Sequence, residues 1–156
     1  GRIDFGVVST PFELDNRFRV FKGRKIRDIF VAGNRFIDLK DKQLDYSVLR
    51  EYPLISLEKN TSTRRYVDQF LMKNNVVLNP EFELATSAIV TQFAVRNLGI
   101  GCVVEDFAYE EISNGRLFQL QFEKEIPQRE ICIITDQKVP MSKSAATFLS
   151  LIGNLE

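Results

Sequence analysis

Residues 54–71 have the sequence LISLEKNTSTRRYVDQFL, and this stretch decides how the rest of the chain is interpreted. It begins with a short apolar segment typical of a buried strand, continues with a hydroxyl-rich turn, and ends in an amphipathic helix. Apolar residues of this helix have the spacing of one buried face: Tyr66, Val67, Phe70 and Leu71. The stretch therefore predicts one strand–turn–helix unit of an α/β fold.

The turn of this unit crowds small polar residues at the point where the helix would start: Asn60, Thr61, Ser62 and Thr63. At a helix N-terminus, unpaired backbone N–H groups and the positive end of the helix dipole favour an anion or a carbonyl ligand. Ser, Thr and Asn are also the preferred N-caps, and one residue suffices for that role. Two interpretations remain open: a cap alone, or a cap whose neighbours form part of a binding site.

Length and composition are those of an ordinary soluble globular protein. The 156 residues are 44% hydrophobic and 27% charged, and they suit one domain or two small lobes. Lys plus Arg and Asp plus Glu number 21 each, so the formal net charge is zero. This balance gives no support for broad binding of nucleic acid or a membrane surface by the chain itself.

Several kinds of site are disfavoured by composition. Histidine is absent, which removes His-activated nucleophiles and the usual zinc ligands. Cys102 and Cys132 each lie in an apolar run and are expected to be buried free thiols in a reduced compartment. No apolar run approaches the roughly 20 residues of a membrane span. We therefore expect no catalytic residue, no metal site and no cofactor.

The pattern along the chain alternates strands with helices. Strands are predicted at residues 3–8, 25–32, 54–57, 76–78 with 82–84, 100–104, 117–122 and 131–135. The first of them is a compact apolar run and is expected to be buried. Helical segments are predicted at residues 46–52, 63–74, 86–97, 105–114 and from 142 or 144 to 153, and residues 13–19 and 38–43 are expected to be surface segments. This order predicts an α/β fold with a largely parallel sheet. Ligands of such sheets lie outside the carboxyl ends of strands.

Residues 97–101, with the sequence NLGIG, could be mistaken for a phosphate-binding loop. A phosphate loop follows a strand and opens a helix. Here the order is reversed, because the glycines follow a helix and precede a strand. We interpret them as a tight helix-to-strand turn.

Seven short motifs occur in a recognisable order. They are GRIDFGVVS at residues 1–9, PLISL at 53–57, Thr63-Arg64 with Asp68, Glu83 with Ser87, VRNLGIG at 95–101, GRL at 115–117 and SAATFL at 144–149. Together they resemble the effector-binding domain of LysR-type transcriptional regulators, from residue 1 to about residue 152. No single motif is diagnostic, and the shared order and spacing carry the resemblance.

The resemblance implies a type-2 periplasmic-binding-protein-like fold, with two α/β lobes joined by crossing strands and an effector in the cleft. Residues 1–20 and 125–156 would belong to the first lobe, and residues 21–124 would form the second. The family begins the first lobe with further strands and a helix, after a winged helix-turn-helix domain. We therefore expect this chain to be an N-terminally truncated effector domain whose first lobe is incomplete.

The resemblance also implies where the effector would bind. The matching positions are Ser9, Thr10, Asn60, Thr61, Ser62, Thr63, Thr86, Ser87 and Val104. Val104 stands where the family often has proline, so the outline of the site there is open. Asn97 replaces a usual glycine, which is tolerable because asparagine also reaches the left-handed conformation. Arg64 and Arg65 are expected to face solvent, as first-turn helix residues commonly do. The expected effector is a small anionic or carbonyl-bearing metabolite.

Three function classes follow from this interpretation. The first is a cytoplasmic effector sensor, not an enzyme, that reaches DNA only through the missing domain and forms a homodimer or homotetramer without contacting a membrane. The second is a solute-binding receptor of a transporter with the same fold. The third is an enzyme resembling prephenate dehydratase, disfavoured because Arg65 follows Thr63-Arg64 where that family has phenylalanine. In the regulator family, the helix at residues 63–74 faces a partner subunit.

Overall fold

The computed structural model describes residues 3–13 and 15–153, so the first two residues of the first motif lie outside the described part. The chain divides into two compact units. Unit 1 comprises Gly1–Lys25 and Arg129–Glu156, and unit 2 comprises Ile26–Gln128. Within the described ranges, no helix is long and apolar enough to cross a membrane.

The elements are short, and strands alternate with helices, as the sequence pattern indicates, between Leu54 and Ser113. The strands are β1 (Gly6–Ser9), β2 (Phe18–Ile26), β3 (Asp28–Ala32), β4 (Gln43–Leu44), β5 (Leu54–Leu57), β6 (Phe82–Leu84), β7 (Ile100–Val104), β8 (Phe118–Gln119), β9 (Gln121–Phe122) and β10 (Arg129–Asp136). The helices are α1 (Ser62–Lys73), α2 (Ser87–Val95), α3 (Tyr109–Ser113) and α4 (Lys143–Gly153), and 3-10 turns cover Asn34–Leu39, Tyr46–Glu51 and Glu105–Phe107.

Unit 1 contains a three-stranded sheet in the order β1-β10-β2, with β1 antiparallel to β10. Helix α4 is capped by Ser142, whose Oγ accepts a hydrogen bond from the backbone N–H of Ala145 at 3.2 Å. The Ser142 hydroxyl in turn donates to Asp4 at 2.9 Å, and Phe148 of α4 stacks on Phe5 with ring centroids 5.3 Å apart. These contacts attach α4 to the segment that leads into β1.

Two expectations for this region are wrong. The strand predicted at residues 3–8 is not buried, since Val7 is 63% exposed, and alternate side chains of a strand point to opposite faces. Residues 25–32 do not form one strand, because β2 starts at Phe18, inside the predicted loop, and β3 is separate from it. Lys and Arg make up four of the nine residues of β2 and do not alternate strictly with apolar ones, so the sequence has only a weak strand pattern here.

Unit 2 contains a five-stranded sheet in the order β6-β5-β7-β3-β8. β5 runs parallel to β6 and β7, whereas β3 is antiparallel to both β7 and β8. The expected largely parallel sheet is therefore wrong, and the sheet is mixed. Parallel neighbours need a crossover connection, which α1 and α2 supply between β5, β6 and β7. β3 precedes both helices and pairs with β7 from the opposite direction.

The sheet of unit 2 has an apolar core on each face. One core packs α2 against the sheet through Val90 and Ala94, and the other packs α1 through Val67 and Leu71. All five residues of β3 are buried, as expected of a strand covered on both faces. Both cysteines are buried and unbridged, as predicted.

Helix ends and the exposed side of α1 also match the sequence pattern. Asn75, Asn97 and Gly115 have φ values of 61°, 60° and 71°, so helices end at left-handed residues as predicted. Tyr66 and Phe70, which the helical spacing assigned to the buried face, are half-buried. The Tyr66 hydroxyl donates to the Pro127 carbonyl at 3.0 Å, and the Phe70 ring meets Tyr46 edge-on at 5.5 Å.

Candidate functional site

The hydroxyl turn connects the end of β5 to the start of α1, and Thr61 is the N-cap of that helix. Its Oγ1 accepts a hydrogen bond from the Arg64 backbone N–H at 3.2 Å and donates to the Glu58 carbonyl at 2.9 Å. Both hydrogen-bonding roles of this hydroxyl thus serve the backbone. The predicted cap is confirmed at Thr61, and the other hydroxyls of the turn lie beside it.

The remaining residues of the turn differ in exposure. Asn60 is exposed, and its backbone carbonyl accepts a hydrogen bond from Arg65 Nη1 at 3.0 Å. Ser62 is exposed and Thr63 is half-buried, and both lie in the first turn of α1. A ligand approaching the start of α1 would therefore meet Ser62 and Thr63, together with the first backbone N–H groups of the helix.

Arg64 does not face solvent, which corrects the expectation for this residue. Only 2% of its surface is exposed. Its Nε lies 2.9 Å from both carboxylate oxygens of Asp68, and its Nη1 donates to the Leu57 carbonyl at 2.8 Å and to Glu83 Oε1 at 3.3 Å. Arg65 is exposed, as expected.

The burial of Arg64 has a direct physical reason. Helical side chains lean toward the N-terminus of their helix, and this direction carries Arg64 over the carboxyl end of β5. A buried guanidinium requires compensating charge, which Asp68 and Glu83 supply. The signal in the sequence was the i, i+4 spacing of Arg64 and Asp68, which places both side chains on one helix face.

The second helix that starts at this edge of the sheet is α2, and Thr86 is its N-cap. Its Oγ1 accepts from the Ile89 N–H at 3.4 Å, while Ser87 is buried. β5 and β6 pair in register up to Leu57 and Leu84, so the turns after both strands are neighbours. The starts of α1 and α2 therefore lie side by side at the carboxyl ends of two parallel strands.

Val104 ends the third parallel strand, β7, at the same edge. Its side chain is buried, and its backbone has φ −69° and ψ 129°. Proline fixes φ near −65°, so the backbone here has the conformation that the proline common in the family would impose. Valine in place of the family's proline at position 104 therefore changes the side chain but not the local backbone conformation.

In unit 1, Ser9 and Thr10 bind to the start of β10. Ser9 Oγ accepts a hydrogen bond from Arg129 Nη1 at 2.7 Å, and Thr10 Oγ1 accepts from the Glu130 N–H at 2.8 Å. Arg129 is buried. The sequence pattern did not single it out, since an arginine at the edge of an apolar strand usually marks the strand's solvent end. It adds a positive charge beside Ser9.

A cavity of about 330 Å³ lies in unit 2, next to β3 and β8. No residue of its lining was predicted as part of a site. Charged and amide side chains and two stacked rings line it, among them Arg27, Asp28, Gln43, Tyr46, Gln119, Gln121, Phe122 and Glu125. Burial raises the pKa of Tyr46 well above its ordinary value, and the charges of Cys102 and Glu125 add to this effect. In the strand order, β7 separates this cavity from the hydroxyl turn after β5.

The mixed α/β architecture and the edge built by β5, β6 and β7 agree with the protein family that the sequence matches. A family model described as "LysR substrate binding domain" matches residues 1–155, and the chain belongs to this family. The family resemblance predicted from the sequence motifs is thereby confirmed.

A curated relative points in the same direction. The HTH-type transcriptional activator CmpR of Synechocystis sp. (strain ATCC 27184 / PCC 6803 / Kazusa) is 29% identical to this chain over 143 residues. The match covers 91% of this chain and 46% of CmpR, so the chain spans about half the length of this relative.

Solved structures show the same fold. The regulatory domain of CcmR from Synechocystis PCC6803, in complex with 2-PG, aligns with a TM-score of 0.82 at 19% identity, covering 97% of this chain and 73% of that one. The regulatory domain of HypT from Salmonella typhimurium aligns with a TM-score of 0.79 at 20% identity, covering 97% and 72%. These are LysR regulatory domains, and the type-2 periplasmic-binding-protein-like fold predicted from the sequence is confirmed.

Proposed function

We propose that this chain is the effector-sensing domain of a LysR-type bacterial transcriptional regulator. A small anion would bind it and thereby control the DNA affinity of a helix-turn-helix domain outside this chain. The observation that carries the proposal is the match of residues 1–155 to the LysR substrate-binding domain. An activator of the helix-turn-helix type among its relatives supports the link to DNA. The regulator would act in the cytoplasm, as an oligomer and without enzymatic activity.

The effector site that we propose contains the residues assigned by the family resemblance: Ser9, Thr10, Asn60, Thr61, Ser62, Thr63, Thr86, Ser87 and Val104. Within this set we assign different roles. Ser62 and Thr63 would donate hydrogen bonds to the ligand, because both lie in the first turn of α1, next to the backbone N–H groups at the start of the helix. Arg129, which lies 2.7 Å from Ser9 Oγ, would add attraction for an anion.

The effector would act by shifting a conformational equilibrium. The resemblance implies two lobes, and we assign unit 1 and unit 2 to them, with boundaries after Lys25 and Gln128. A ligand that binds one arrangement of the lobes more tightly than another shifts the population toward it, by no more than its difference in affinity. That shift would be passed to the DNA-binding domains through the oligomer.

An anion suits the start of α1 for electrostatic reasons. Charge-assisted hydrogen bonds contribute about 1.5–3 kcal/mol each, and a few of them give micromolar-to-millimolar affinity once the entropy of binding is subtracted. The relative CcmR was solved with 2-PG, which makes that compound a sensible first probe here. Inorganic phosphate and simple mono- and dicarboxylates complete the panel.

The test is a thermal-shift titration of this chain with each probe, comparing two double variants. Ser62→Ala with Thr63→Ala should abolish ligand-dependent stabilisation, which reaches about 2.7 kcal/mol at a hundred times the Kd in the parent chain. Ser113→Ala with Ser150→Ala removes two exposed hydroxyls elsewhere and should leave stabilisation unchanged. Equal stabilisation of both double variants would overturn the site assignment.

A further inference from the structure

Strand β2 carries an unusual concentration of positive charge. Between Arg17 and Arg27 the sequence is RFRVFKGRKIR, which contains six Lys or Arg residues and no Asp or Glu. The five cations within β2 or directly before it are all exposed: Arg17, Arg19, Lys22, Arg24 and Lys25. We call residues 17–27 the basic strand.

The zero net charge of the chain conceals this concentration. Unit 1 contains nine Lys or Arg residues against six Asp or Glu, whereas unit 2 contains twelve against fifteen. The two units therefore carry opposite net charges. The zero overall charge, which gave no support for nucleic-acid binding, averages over this division. Charge asymmetry between parts of a chain is a recognised sign of such binding.

The geometry of β2 exposes cations on both faces of the strand. Among the strands of the described residues in unit 1, β2 lies at one end of the sheet, beside β10 only. Alternate residues of a strand point to opposite faces, so Arg19 and Lys25 share one face and Lys22 lies on the other. The Arg19 guanidinium covers the Phe21 ring at 5.0 Å, and Arg17 covers Phe18 at 4.7 Å. These stacked contacts hold two guanidinium groups along the strand.

We propose that the basic strand binds the phosphate backbone of duplex DNA. The inference rests on the proposed function, which places this chain in a DNA-binding regulator, and it adds a contact outside the helix-turn-helix domain. Phosphates require cations along a line and no shaped pocket, and they supply most non-specific affinity.

A competing explanation is that the cations only protect an edge strand from pairing with other chains. Lysine on an edge strand is a common device against aggregation. The two explanations predict different effects when the cations of the basic strand are replaced by neutral residues. Loss of a DNA contact lowers affinity for DNA and its salt dependence, whereas loss of edge protection promotes self-association.

The test measures anisotropy of a labelled duplex of unrelated sequence, titrated with this chain at several salt concentrations. With three phosphates neutralised, affinity should fall about 40-fold between about 50 and about 200 mM salt, since the slope of log K against log salt is roughly −0.9 per phosphate. The triple variant R19Q/K22Q/K25Q should bind at least about tenfold more weakly at the lower salt, with a slope closer to zero by up to about 2.7.

A matched control removes three exposed lysines of unit 2, as K40Q/K42Q/K73Q, with the same change in net charge. It should bind DNA as the parent chain does. Absence of DNA binding by the parent chain, or equal losses in both triple variants, would overturn the inference. So would self-association of R19Q/K22Q/K25Q in light scattering without a change in DNA binding.

The same variants separate this inference from the proposed function. The neutralised residues lie outside the proposed effector site, so R19Q/K22Q/K25Q should retain stabilisation by whichever anion stabilises the parent chain. Stabilisation of the parent chain by an anion, without any DNA binding by the parent chain, would overturn the role of the basic strand alone. Loss of stabilisation in Ser62→Ala with Thr63→Ala is measured independently of DNA.

Discussion

The Arg64 guanidinium lies 2.9 Å from both carboxylate oxygens of Asp68, one helical turn further along α1. The same guanidinium reaches the Leu57 carbonyl at the end of β5 and Glu83 on β6. A single side chain thus links one helix to two strands at the edge where the proposed ligand-binding turn begins. The position of that turn depends on this buried ion pair.

Replacing Arg64 by glutamine should lower the free energy of unfolding by about 2–4 kcal/mol, because it leaves two carboxylates and a buried carbonyl without their shared donor. Asp68 and Glu83 are 33% and 35% exposed, so water can solvate them and limit the loss. Urea denaturation measures the change. Arg65→Gln is the matched control and should change stability by less than about 0.5 kcal/mol, because this side chain is exposed.

Asp68→Asn should destabilise the chain more than Glu83→Gln. Asp68 accepts two contacts at 2.9 Å from Arg64, whereas Glu83 lies 3.3 Å from it and is also 3.9 Å from Lys59. Both variants leave the buried guanidinium with one carboxylate partner. The reverse order of midpoints in urea would show that Glu83 is the principal counter-charge.

Thr61→Ala should lower stability by about 1 kcal/mol, since a lost N-cap costs about 0.5–2 kcal/mol. Ser62→Ala should change stability by less than about 0.5 kcal/mol, because Ser62 is exposed and does not cap the helix. In ligand titrations the ranking should be reversed: Ser62→Ala should weaken ligand-dependent stabilisation more than Thr61→Ala does. Equal urea midpoints for Thr61→Ala and the parent chain would contradict the cap.

Tyr46 makes the free energy of unfolding depend on pH in the alkaline range. Its hydroxyl donates to the Lys124 carbonyl at 2.7 Å and its ring stacks on Phe122 at 4.1 Å. Burial raises the pKa of Tyr46, so the folded state holds this proton more tightly than the unfolded state does. The resulting stability is fully present below the ordinary tyrosine pKa of about 10 and is lost as the pH rises above it.

Tyr46→Phe should therefore flatten the decline in stability above a pH of about 10, while costing about 1 kcal/mol at neutral pH through the lost hydrogen bond. Tyr109→Phe removes an exposed hydroxyl and serves as the control. Urea midpoints at a series of alkaline pH values give the comparison. An unchanged decline in Tyr46→Phe would show that another group controls the alkaline limb.

Position 99 requires glycine because there is no space for a Cβ atom, whereas position 115 requires it because its φ is positive. A Cβ atom at Gly99 would lie 2.6 Å from the Pro53 carbonyl oxygen, while one at Gly115 would meet nothing within 4 Å, at a φ of +71°. Alanine at Gly99 should cost about 1–3 kcal/mol through overpacking, and alanine at Gly115 about 1 kcal/mol through left-handed strain.

Asparagine separates these two causes. It tolerates the left-handed region, so Gly115→Asn should recover most of the stability that Gly115→Ala loses. Gly99→Asn should be no better than Gly99→Ala, because the Pro53 carbonyl excludes any Cβ atom. Thermal unfolding of the four variants provides the measurement, and recovery at Gly99 would contradict the steric explanation.

Sequence reasoning was most successful where local chemistry decides the outcome. The strand at Leu54–Leu57, the cap at Thr61 and the buried face of α1 were all predictable from residue type and spacing. The left-handed helix ends at Asn75 and Asn97 follow from the conformational tolerance of asparagine. These features depend on residues within a few positions of each other.

The burial of Arg64 and the direction of β3 could not be predicted from local residue types and spacing. Arg64 is buried because Leu57 and Glu83, seven and nineteen positions away, meet it in space. β3 is antiparallel because it pairs with β7, more than seventy residues later in the chain. Strand pairing of this kind depends on which edge remains available after the crossover helices have packed.

The sequence by itself determined a LysR-type effector domain, a capped hydroxyl turn after Leu57 and the residues that form the helix faces, because periodicity and capping are local properties. Only the tertiary structure decided that Arg64 locks this turn to β5 and β6, and that the ends of β5, β6 and β7 share one edge. It also decided that the cations of β2 are exposed on both faces of the strand. Each of these depends on distances between residues far apart in the chain, which no local pattern encodes.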